Sequence, residues 1–201
     1  MKQVILIGGT PTVGKSTVAK ALSEKLGIPW ISTDQLRGII RPYAKREEYP
    51  DLLLPEGSET AEDFLTRFSA EEIADMELAQ AKDVWPAVKY LIEEKYGWKN
   101  GVIIEGVNIT PELVHEYKDQ KHIKAIFLVD EDADRMRDIV YSRGLWDSAD
   151  TYSDDLKPKE IEWAMLFSHK LKLEAEKFGY PCIEVEKDSN DLQRVVETLK
   201  I

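Results

Sequence analysis

Val4-Ile5-Leu6-Ile7-Gly8-Gly9-Thr10-Pro11-Thr12-Val13-Gly14-Lys15-Ser16-Thr17 runs from an apolar, strand-like tetrad into a loop whose Gly9, Gly14, Lys15 and Ser16 fill the pattern G-x-x-x-x-G-K-[ST]. Each position has a physical job. Glycines let the backbone curl so that successive N–H groups point at phosphate oxygens, and the helix that follows adds its positive N-terminal end. Lys15 is placed to meet β- and γ-phosphates, and the Ser16 hydroxyl to take one position in the shell of a Mg²⁺ ion. The flanks agree with this: Val18, Leu22 and Leu26 share one helical face, and Gly27 is a stop signal. Gly9, Thr10, Pro11, Thr12, Val13, Gly14, Lys15, Ser16 and Thr17 are therefore the expected nucleotide contacts, with ATP and Mg²⁺ as the ligands.

A chain of 201 residues with a formal charge of −11 and a single cysteine is expected to form one domain without a disulfide staple. Cys182 lies in the apolar run 181–185 and reads as core, not as a nucleophile. Four apolar residues before the glycines are too few for a signal peptide, and no run of about 18 apolar residues occurs. The expectation is a cytoplasmic protein with no membrane partner. The acidic charge, without a basic block, speaks against nucleic acid as a partner.

Outward from the loop, the chain reads as alternating strands and helices with one long helical interruption. Residues 28–32, 101–106, 125–129 and 181–185 are short apolar runs expected to join 4–7 in a five-stranded sheet. Between about residues 36 and 98 no strand signal occurs. The best helix there begins at a Ser69 cap with Glu72 in capping-box position, and Pro86 is expected to kink or divide it. Thr110-Pro111 predicts a capped helix to about Tyr117, Asp132 to Arg143 a charged helix, residues 147–157 a mobile polar stretch, 158–178 a long amphipathic helix, and Ser189 or Asn190 the cap of the last helix. Strands joined by crossover helices make a parallel sheet covered on both faces, with ligands at the carboxyl ends of the strands. Those ends carry the glycine loop, Asp34, Glu105, Asp130 and residues 186–189. Glu105 closes a fully apolar strand, where a carboxylate is costly unless it meets a metal-bound water, a ligand or a donor.

Ile5 to Thr10 with Gly14 to Thr17, then Ile31-Ser32-Thr33-Asp34-Gln35-Leu36-Arg37, then Val102 to Val107 with Pro111 following, resemble the small-molecule P-loop kinases, most of all the 2-phosphoglycerate-kinase-like branch. Zeta toxins and polynucleotide-kinase-type domains share parts of the pattern. The resemblance implies a three-layer α/β P-loop NTPase fold over residues 1–201, with an acceptor-binding helical insertion at about 36–98 and a lid at about 132–157. It implies an ATP-dependent phosphotransferase acting on a hydroxyl of a small, anionic metabolite. A zeta-toxin-like nucleotide-sugar kinase and a nucleotide-binding switch are the alternatives, although no Asn/Thr-Lys-x-Asp guanine-reading element is present.

The same resemblance assigns roles. Asp34 would accept the acceptor's hydroxyl proton; its bland alternative is a helix N-cap. Arg37, one turn on, would clamp the acceptor, and Asn108, where that branch tends to carry histidine, joins Glu105 on the acceptor side. Glu105 would also reach Mg²⁺ through water. Arg135, Arg137 and Arg143 fall in the lid, with Arg143 best placed to neutralise the transferring phosphoryl group together with Lys15.

Overall fold

Along the first strand, Val4 and Leu6 belong to one hydrophobic core and Ile5 and Ile7 to the other, which is the alternation of a strand buried on both faces. The computed structural model describes residues 2–53, 55, 57–94, 97–186 and 190–201. Its strands are β1 (Gln3–Gly9), β2 (Trp30–Ser32), β3 (Gly101–Gly106), β4 (Ile123–Val129) and β5 (Cys182–Glu184). They form one parallel sheet in the order β2-β3-β1-β4-β5. The glycine loop thus leaves the central strand.

The helices are α1 (Lys15–Leu26), α2 (Thr33–Ile40), α3 (Ala61–Arg67), α4 (Ala70–Glu93), α5 (Pro111–Val114), α6 (Ala133–Arg143), α7 (Lys157–Phe178) and α8 (Asp191–Leu199). Val18 and Leu22 of α1 with Val195 and Leu199 of α8 cover one face of the sheet, and Val88 of α4 with Trp163, Phe167 and Leu171 of α7 cover the other. This is the expected three-layer α/β fold. Among the described residues no helix is long and apolar enough to cross a membrane.

Several boundaries differ from expectation for local reasons. Pro86 does not divide its helix, because α4 is continuous over 24 residues from a Ser69–Glu72 capping box. The proline removes one backbone donor, but Val84, Trp85 and Val88 around it are all buried in the core. Thr110 takes the extended N-cap conformation without making a side-chain cap bond, and α5 passes after Val114 into a 3₁₀ turn over His115–Tyr117. In the stretch 147–157, expected to be polar and mobile, Ala149 and Tyr152 are buried, and the Tyr152 hydroxyl donates to the carboxylate of Glu160. Asn190 caps α8 by accepting from the Gln193 N–H, 3.1 Å away; Tyr96 and Lys187 to Ser189 lie outside the described residues. Cys182 packs against the core, and burial pushes its thiol up to about 11.

Candidate active site

Gly14 ends the glycine loop at φ 84°, a left-handed conformation that glycine adopts without a side-chain clash, and it is the N-cap of α1. Lys15 turns back into the loop. Its Nζ donates to the Thr10 carbonyl at 2.5 Å, and burial pushes its pKa down to about 8, opposed by the charges of Glu105 and Asp34. The loop is tied to the sheet and to α7: Thr10 N–H donates to the Leu128 carbonyl at 3.1 Å and its hydroxyl to Ser168 Oγ at 3.0 Å. Ser168 Oγ also accepts the Asp130 N–H at 2.9 Å.

Sheet register brings the next group in. Glu105 of β3 lies between Ile7 of β1 and Ser32 of β2, is 1% exposed, and accepts the Ser16 hydroxyl at 3.0 Å. Burial raises its pKa, while Lys15 and the hydroxyls of Ser16 and Ser32 pull it down. Gly106 follows because the chain passes against α2: a Cβ there would stand 1.8 Å from Thr33 Oγ1. A hydroxyl in the first turn after the glycine loop, with a buried carboxylate beside it, is a donor set that fits Mg²⁺, a cation that prefers oxygen ligands and retains most of its waters.

Asp34 and Arg37 stand on the first turns of α2, past β2. The helix is capped by Ser32, whose hydroxyl accepts the Asp34 N–H at 3.2 Å and whose own N–H is answered by Gln35. Asp34 is therefore not the N-cap, and its carboxylate reaches Arg37 at 3.4 Å. Arg37 also donates to Gln80 Oε1 of α4 at 2.6 Å. These side chains line a cleft of about 380 Å³ whose other walls are Glu77 and Gln80 of α4, the chain at Ser58–Ala61, and Leu145, Trp146 and Asp147 between α6 and α7.

The three arginines expected together in the lid are apart. Arg135 is held in a two-pronged pair with Asp130, at 2.8 and 2.5 Å, and donates to the Val185 carbonyl; the strand-end position Asp130 is thereby engaged as well. Arg137 lies over the Tyr141 ring at 5.9 Å. Arg143, the last residue of α6, lines an open groove with Tyr141, Tyr152 and Lys157, not the Asp34 cleft. Asn108 is fully buried, and neither amide atom has a hydrogen-bond partner.

Trp146, Asp147 and Glu77 were not singled out from sequence. Asp147 accepts the Ala61 N–H at 2.7 Å, fastening the segment before α7 onto α3. Trp146 stacks on Trp163 and meets the edge of Phe64. The only sequence signal was the Gly144 break followed by Leu-Trp-Asp, an aromatic in an otherwise polar loop.

The chain is 29% identical to a 2-phosphoglycerate kinase of Methanocaldococcus jannaschii over 98% of its length and 62% of that protein's. It is 30% identical to the one from Methanothermobacter thermautotrophicus, over 90% of this chain and 60% of the relative. It thus spans less than two thirds of either relative. A crystal structure of shikimate kinase from Bacteroides thetaiotaomicron superposes with TM-score 0.56 over 99% of both chains at 17% identity, and an uncharacterized protein from Eubacterium ventriosum with TM-score 0.50 over 100% and 99% at the same identity. Both share the fold. Residues 4–193 match the AAA-domain family, and with the glycine loop on the central strand of a β2-β3-β1-β4-β5 parallel sheet, the chain belongs to that family of P-loop proteins.

Proposed function

We propose that this protein is an ATP-dependent phosphotransferase that moves the γ-phosphoryl group to a hydroxyl of a small metabolite. The observation that carries the reading is the Asp34 carboxylate. It stands at a strand end, does not cap its helix, and lines a cleft of about 380 Å³, within the range of small-molecule sites. A nucleotide switch needs no such cleft beside its phosphate loop.

In this reading Gly9 to Thr17 wrap the phosphates and Lys15 gives up the Thr10 carbonyl for a phosphate oxygen. Ser16 and, through water, Glu105 hold Mg²⁺, which supplies charge neutralisation at the phosphates when bound. Asp34 accepts the hydroxyl proton of the acceptor. The segment 132–157 would serve as a lid: Trp146 and Asp147 line the cleft, and closure would exclude water. Arg143 would have to move with it to reach the phosphates.

The relatives' names make 2-phosphoglycerate one acceptor to test, and Arg37 and Arg41 are the cations that line the cleft. A transfer assay with γ-labelled ATP against phosphorylated hydroxy acids, sugars, nucleosides and nucleotide sugars tests the reading. Acceptor-dependent appearance of labelled product is expected; ATP turnover indifferent to every acceptor would favour a switch.

A further inference from the structure

One group in the cleft is left unused by this chemistry. Glu77 of α4 is 8% exposed and lines the cleft, yet it has neither a hydrogen bond nor an ion pair among the described residues. A buried carboxylate without donors is unfavourable, and burial indeed raises its pKa, with Arg37 opposing. Arg37 does not compensate it by contact, because its guanidinium is committed to Asp34 and Gln80. What Glu77 lacks is a donor, and the larger open space beside it is the cleft; a smaller pocket of about 110 Å³, which Arg46 also lines, is the other.

The charge of that cleft points the same way. Asp34, Glu59, Glu77 and Asp147 face two guanidiniums, those of Arg37 and Arg41. An acceptor already bearing a phosphate and a carboxylate would enter a site with excess negative charge, next to the phosphates of ATP. Trp146 adds an apolar wall: it is 38% exposed and backed by Trp163, 5.1 Å away and 19° from parallel, so it offers a rigid surface to a ring.

We propose that the acceptor is a donor-rich polyol, a sugar or amino sugar and not a phosphorylated hydroxy acid, whose hydroxyl or ammonium protons are received by Glu77 and whose carbon skeleton lies against Trp146. The inference rests on the phosphotransfer reading. In that step the acceptor oxygen bonds to the γ-phosphorus, the bond from that phosphorus to the β–γ bridging oxygen breaks, the hydroxyl proton passes to Asp34, and ADP leaves.

The test is a steady-state assay with ATP and Mg²⁺ against neutral aldoses, the corresponding amino sugars and 2-phosphoglycerate, with products identified by phosphorus NMR, for the parent and for Glu77→Gln. The expected result is kcat/KM at least tenfold higher for a sugar or amino sugar than for 2-phosphoglycerate, and a tenfold or greater loss on Glu77→Gln carried mainly by KM. An amino sugar favoured over its neutral counterpart identifies the ammonium as the partner of Glu77; equal rates identify the hydroxyls. Glu77→Gln exchanges a buried charge for an amide of similar size, so its thermal midpoint should not fall, and a change in KM then reports recognition. Preference for 2-phosphoglycerate, or an unchanged KM in the variant, overturns the inference and leaves phosphotransfer standing. Transfer to none of these three acceptor classes overturns the inference, and transfer to no member of the wider panel of nucleosides and nucleotide sugars overturns the phosphotransfer reading as well.

Discussion

Ser16 Oγ and Glu105 Oε1 stand 3.0 Å apart, one from the first turn of α1 and the other from the end of β3. The contact joins the glycine loop to the neighbouring strand through a buried carboxylate, an oxygen pair that in the proposed function would hold Mg²⁺. Glu105→Gln keeps the hydrogen bond to Ser16 and removes the charge. The variant should need at least tenfold more Mg²⁺ for half-maximal nucleotide affinity, a scale typical of residues that support a metal site, with metal-free affinity nearly unchanged. Titration calorimetry at several Mg²⁺ concentrations checks this, and an unaltered Mg²⁺ dependence would remove Glu105 from the metal site.

Lys15 is the group whose protonation should report nucleotide binding. Its pKa is pushed down to about 8, against 10.5 in the unfolded chain. Between those values the native protein holds fewer protons than the unfolded one, so this residue makes the fold more stable as pH rises through that window. Phosphates brought to the ammonium favour the charged form. Nucleotide binding at pH 8 should therefore take up roughly half a proton, measurable by calorimetry in buffers of different ionisation enthalpy. Lys15→Ala should abolish both the uptake and turnover while leaving the circular dichroism of the fold. Binding without proton uptake would show that the phosphates do not meet Lys15.

Asp34→Asn should slow phosphoryl transfer by about a hundredfold or more, the usual scale for a positioned general base, with ATP affinity nearly unchanged. Because Ser32 is the cap, α2 has no need of the Asp34 carboxylate. Arg37→Ala should instead act on the acceptor's KM, by an amount corresponding to about 1.5–3 kcal/mol for a lost hydrogen bond to charge. Pre-steady-state kinetics separate the two, and full transfer by the Asn variant would dismiss Asp34 as the base.

Ser168 anchors the loop from behind. Replacing it with alanine leaves the Thr10 hydroxyl and the Asp130 N–H without their shared acceptor. The expected destabilisation is about 1–3 kcal/mol, read as a lower urea midpoint at constant slope. A weaker nucleotide affinity should accompany it, since Thr10 belongs to the loop.

Much of this arrangement was legible in the sequence because it is local. The apolar tetrad, the glycine pattern, the Ser69–Glu72 cap and the glycines after α1 and α7 all act over a few residues, and β3 falls where Val102, Ile103 and Ile104 between Gly101 and Gly106 place it. What was not legible depends on partners distant in the chain. Whether Pro86 ends α4 is decided by burial of its neighbours, and Arg37 meets Gln80 from 43 positions away. Arg135 looked like its neighbours Arg137 and Arg143 until β5 brought the Val185 carbonyl to it. The Asp34 cleft is the extreme case: Glu77, Trp146 and Asp34 come from three separate stretches, and none carries a local mark of facing the others.

The stack of Trp146 on Trp163 has an optical consequence. Two indoles at 5.1 Å and 19° are close enough for their electronic transitions to mix, so the pair should give a coupled near-ultraviolet dichroic band. One member is sealed in the core and the other is partly open to the cleft. A molecule settling against Trp146 would perturb one half of the pair, and with it the coupling, so the protein carries an intrinsic, label-free reporter of cleft occupancy that is separate from the phosphate loop.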